Sequence, residues 1–124
     1  MKGTISTVLF AFTLVVVGLS TYALAHTKLE KSEPAAGATL TQAPKQIQLW
    51  FNEKIDPAVS KVELTSASGK VALSGMHVMS GKELMASVTG AVPAGTYTVA
   101  WQTAGDDGHV AKGDFTFMVK ATTH

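Results

Sequence analysis

The chain has 124 residues, 46% of them hydrophobic, no cysteine, and 10 basic against 9 acidic residues. That length suits one small domain rather than two, and the missing cysteines exclude both disulfide staples and a thiolate metal site. The near-balanced charge supplies no basic patch for nucleic acid or an anionic membrane, and no bias toward an acidic substrate.

Residues 1–25 read as a secretory signal: Met1-Lys2, an apolar run over residues 8–19, then Ala23-Leu24-Ala25. The run is shorter than a membrane span and ends in a cleavage pattern, so no retained anchor is expected. Cleavage after Ala25 leaves a domain of residues 26–124 with His26 first. The processed protein is expected to be soluble, exported and not inserted in a membrane.

The rest of the chain patterns as strand. Residues 27–31 form a short first strand anchored by Leu29, and Glu33-Pro34-Ala35-Ala36-Gly37 is a turn. Ile47, Leu49 and Phe51 alternate with Gln48 and Trp50, the period of a half-buried strand. Residues 61–65 follow, with Val62 and Leu64 inward, then a glycine-containing turn over 66–70. Residues 71–73, 76–79 and 84–88 are further short strands. Pro93-Ala94-Gly95 leads into residues 96–103, where Tyr97, Val99 and Trp101 share a face. After a loop at 105–108, Phe115, Phe117 and Val119 mark the last strand. No segment holds a helical period. Seven or eight short strands with closely spaced turns predict an all-β fold, an immunoglobulin-like Greek-key sandwich or barrel of about 100 residues. Trp101 and the phenylalanines are its expected core.

Two stretches carry metal chemistry. A free N-terminal His26 offers an α-amine and an imidazole Nδ1, which together chelate one metal in a six-membered ring. Nitrogen donors in a flat arrangement suit Cu(II). In Asp106-Asp107-Gly108-His109, an extended backbone would turn Asp107 and His109 to the same side, with Gly108 letting the backbone approach a ligand. His26, Asp107 and His109 then supply three nitrogens and one oxygen, a tetragonal Cu(II) set for which Zn(II) is the weaker rival. The structural alternative is that signal cleavage leaves His26 first by chance and that Asp-Asp-Gly is only a turn.

Several pieces match together in order and spacing over nearly the whole processed chain. They are Ala25-His26, Ser32-Glu33-Pro34-Ala35-Ala36-Gly37, Leu49-Trp50-Phe51-Asn52-Glu53, the stretch Pro93-Ala94-Gly95-Thr96-Tyr97-Thr98-Val99-Ala100-Trp101, Asp107-Gly108-His109, and Gly113-Asp114-Phe115-Thr116-Phe117. In these the chain resembles the CopC family of periplasmic copper-binding proteins. The resemblance implies a Cu(II) site on His26, Asp107 and His109, with Glu53 as an outer or weak axial group. It also implies a periplasmic location and a membrane copper transporter of the CopD type as partner. Asp106 is read as a turn former.

Met76, His77 and Met79, with Met85 nearby, are donors that suit Cu(I). They do not form the dense methionine loop of some family members. In an extended strand His77 and Met79 share a face and Met76 points away; filling of core gaps is the competing reading of these methionines. Met118 is read as structural. Three functions stand side by side: a copper-binding protein for homeostasis, resistance or delivery, which is not an enzyme; a copper-dependent oxidative enzyme with an N-terminal histidine; and a metal-free structural sandwich.

Overall fold

The computed structural model describes residues 27–121. The leader 1–25, the cleavage residue Ala25, His26 and the tail histidine His124 lie outside the described residues. Among the described residues the regular structure is nine strands: β1 (Leu29–Glu33), β2 (Thr39–Leu40), β3 (Gln46–Phe51), β4 (Lys61–Ser66), β5 (Gly69–Val71), β6 (Leu73–Met79), β7 (Glu83–Val88), β8 (Gly95–Ala104) and β9 (Val110–Val119). They form two sheets, in the orders β1-β3-β7-β6 and β2-β9-β8-β4-β5. Every pairing is antiparallel except that of β2 with β9. No helix among the described residues is long and apolar enough to cross a membrane.

Alternation explains the layering. Ile47, Leu49 and Phe51 of β3 are buried while Gln46, Gln48 and Trp50 are not. Opposite them in β7, Leu84 and Ala86 are fully buried. On the second sheet Leu64, Tyr97, Val99, Phe117 and Val119 fill the inner face. The sheets meet where Phe51 lies edge-on to Trp101 with centroids 5.1 Å apart, and within the second sheet Tyr97 stacks on its β9 partner Phe117 at 5.5 Å. Each fully buried side chain of this kind contributes roughly 1.5–3 kcal/mol through removal of apolar surface from water.

The expectations for strands and core need five adjustments. The first strand runs two residues later than expected, and Thr27 acts through its side chain instead. β2 was not foreseen, because two residues carry no period. The strand expected at 71–73 is divided at Ala72, where the chain changes sheets: Val71 closes β5 beside β4, and Leu73 opens β6 beside β7, which runs to Met79 through a bulge between Ser74 and His77. Met118 belongs to β9 but lies on its outer face, 45% exposed, so it is not a core residue. Trp101 and Phe115 are half-buried against the core rather than enclosed in it.

Candidate metal centre

One end of the sandwich is tied together by the residues that follow β3. Asn52 donates its backbone N–H to the Lys28 carbonyl at 3.0 Å, and its side-chain oxygen accepts from the Lys28 N–H at 2.8 Å. Glu53 is then in place to accept the hydroxyl of Thr27 on Oε2 at 2.6 Å. Further on, the Asp56 N–H reaches the Ala104 carbonyl at 2.9 Å. Ser60 and the fully buried Thr103 join hydroxyls at 2.7 Å behind it. The start of β1, the loop after β3 and the end of β8 are therefore one hydrogen-bonded unit.

Gly105 is where the three meet. A Cβ there would stand 2.6 Å from Glu53 Oε2 and 2.6 Å from Thr27 Oγ1. Only a residue without a side chain lets the carboxylate and the hydroxyl come this close to the strand end. Neither Thr27 nor Gly105 was singled out from the sequence. The one available signal was a glycine at the close of a long apolar strand.

Gly105 also opens the turn that bears the other expected ligands. The Gly108 N–H bonds to the Gly105 carbonyl at 3.0 Å, so Asp106 and Asp107 are the central residues of a tight turn. Asp106 is thus a turn residue. Asp107 and His109 do converge, but by curvature, not by the extended backbone expected. Asp107 Oδ1 accepts the His109 backbone N–H at 3.0 Å, and Oδ2 accepts from ring Nδ1 at 2.8 Å. A carboxylate can only accept here, so Nδ1 carries the proton and the neutral ring presents its lone pair at Nε2. Both side chains are exposed. The hydrogen bond holds the Asp107 carboxyl below its ordinary range and raises His109 above that of a free imidazole.

Among the described residues, no three His, Asp or Glu side chains gather into one cage. Asp107 and His109 form a pair, and Glu53 is joined to them through the Thr27–Gly105 contact. Met76, His77, Met79 and Met85 lie elsewhere, on β6 and β7 of the four-stranded sheet. Met79 and Met85 are half-buried outside the apolar core, and Met76 is 40% exposed at the bulge. Core filling does not account for them.

Comparison with known proteins places the whole domain in a family. A family model described as the CopC domain matches residues 29–120. Copper resistance protein C of Xanthomonas campestris pv. juglandis is 36% identical over 121 residues, covering 89% of this chain and 94% of that protein. Protein YobA of Escherichia coli strain K12 is 32% identical over 124 residues, covering 97% and 100%. The crystal structure of PcoC, a methionine rich copper resistance protein from Escherichia coli, superposes with a TM-score of 0.70 at 33% identity, covering 77% of this chain and 100% of that one. The chain belongs to the CopC family, and its function is copper-related.

Proposed function

We propose that the protein is exported, processed before His26, and holds Cu(II) without catalysing a reaction. The α-amine and Nδ1 of His26 chelate the ion, His109 Nε2 supplies a third nitrogen, and Asp107 supplies an oxygen. An imidazole and carboxylate set without thiolate fits Cu(II). Asp107 holds His109 in orientation beforehand, and a carboxylate has lone pairs enough to support the ring and face a metal. Glu53 ligates nothing in this scheme; it fixes Thr27. Copper so held serves buffering, resistance or delivery to a CopD-type membrane transporter.

One contact carries this reading. Thr27 is buried against Glu53 and Gly105, three residues before the end of the turn that presents Asp107. Thr27 is the first described residue of the domain, and its burial beside Gly105, the residue that opens the Asp107–His109 turn, is what supports the reading.

The test compares the processed protein, its first residue confirmed by intact mass, with a form extended by one residue before His26. Competition against a chromophoric Cu(II) chelator is expected to show the extended form weaker by more than about 100-fold, beyond what loss of an outer-shell partner costs. Equal affinity would overturn the chelate.

A further inference from the structure

The pairing of β1 with β3 ends at Leu29 opposite Phe51, so the next antiparallel rung falls on Lys28 and Asn52. A regular rung there exchanges two main-chain bonds. Half of it is present, since the Asn52 N–H bonds to the Lys28 carbonyl at 3.0 Å. The other half runs to a side chain: the Lys28 N–H donates to Asn52 Oδ1 at 2.8 Å. An N–H only donates, so the atom of the amide that faces it is the oxygen. Asparagine is short enough for its own side-chain carbonyl to stand in for the main-chain one.

The stand-in releases the backbone from the strand. The chain bends at Asn52 and Glu53, and the Glu53 carboxylate comes round to the Thr27 hydroxyl at 2.6 Å. Two consecutive residues of the loop thus hold two consecutive residues of the N-terminal arm, Lys28 by its main chain and Thr27 by its hydroxyl. A single hold fixes a place; two fix a direction. The arm needs the second hold, because the β1–β3 register shifts between Leu29 and Lys31 and a bulge disrupts the ladder locally. Beyond the bulge the register continues for one pair, Leu29 with Phe51.

We propose that Asn52 is a positioning residue of the Cu(II) centre, whose side-chain oxygen sets the course of the N-terminal arm and so pre-orients the amine donor. The assignment rests on the reading that the processed N-terminus ligates the ion. Asn52 itself ligates nothing. An arm without this hold has to be ordered when the ion binds, and the entropy lost at that moment subtracts from affinity.

The experiment is a double-mutant cycle that crosses N52A with the one-residue extension before His26 and reads Cu(II) by competition with a chromophoric chelator. N52A is expected to weaken the processed form by about tenfold, the lower end of what an outer-shell partner is worth, and to leave the extended form unchanged. N52D keeps an acceptor oxygen in the same place and is expected to hold the parent affinity. Copper EPR of processed N52A is expected to show a fraction with the signature of the extended form, which a loss of fold stability alone does not produce. Thermal melting without metal reads that stability, and is expected to fall equally in both forms. Weaker Cu(II) binding in both forms by the same factor, or in neither, would overturn the assignment, as would N52D as weak as N52A. Equal Cu(II) affinity of the two parents overturns instead the chelate on which the assignment rests.

Discussion

His109 and His77 are held by the same local device and differ in what surrounds them. Each is exposed, and each has Nδ1 bonded to a group two residues earlier, at 2.8 Å to Asp107 and 2.7 Å to Gly75. At His109 the holder is a carboxylate on a turn, and the nearby unit of Thr27 and Glu53 is all oxygen. At His77 the holder is a neutral carbonyl on a bulge, and the residues sharing its face include two thioethers. A fixed imidazole is thus a neutral starting point. The partner's charge and the neighbouring donors decide which ion it suits.

The sharpest way to break this comparison is to remove each ring in turn. His109→Ala is expected to weaken Cu(II) by more than about 100-fold, and His77→Ala to leave Cu(II) affinity unchanged. Paired competition titrations read the two variants. If His77→Ala weakens Cu(II) as much as His109→Ala does, the distinction between the two rings is wrong.

Next in size is Gly105→Ala, which drives a Cβ into Glu53 and Thr27. Overpacking of this kind costs about 1–3 kcal/mol. A lowered thermal midpoint together with weakened Cu(II) binding is expected, read by thermal melting and competition titration. Gly75→Ala places a side chain at φ +64° and is expected to cost about 1–2 kcal/mol. It should disturb the His77 ring and spare Cu(II), as read by the same titrations.

The smallest effect is on protonation. Asp107 raises His109, chiefly through the side-chain hydrogen bond. Under the proposed chelate, protons compete with metal for His109 up to a higher pH than for an ordinary imidazole, and Cu(II) is expected to leave earlier as pH falls. Asp107→Asn is expected to move the His109 midpoint down, measured by NMR titration of the ring protons without metal. For stability the signs oppose. The His109 contribution is full below about pH 6.5 and fades as pH rises through its raised midpoint; the Asp107 contribution is full above about pH 4 and fades as pH falls through its lowered one. The pair thus helps most between those values, and solvent exposure keeps the gain small.

Much of this was legible in the chain itself. The alternation of Ile47, Leu49 and Phe51, and of Tyr97, Val99 and Trp101, announces a half-buried strand because burial of one face has a period of two. Asp107 and His109 were legible as a pair because they are close in sequence, although the turn that joins them reverses the assumed geometry. Thr27, Glu53 and Gly105 were not legible as a unit. Thr27 and Glu53 are 26 residues apart, and their meeting depends on how three strand ends register. The pairing of His77 with Met85 was hidden likewise, since the bulge at Gly75 resets the ladder by one position and no local pattern marks it.

That bulge matters beyond metals. β6 is the outermost strand of its sheet, and an open strand edge invites pairing with another molecule. A kink at Gly75 spoils the straight, regular row of backbone groups that a second copy would need. Restoring regularity there is expected to favour pairing with a second copy along this edge, however intact the interior remained.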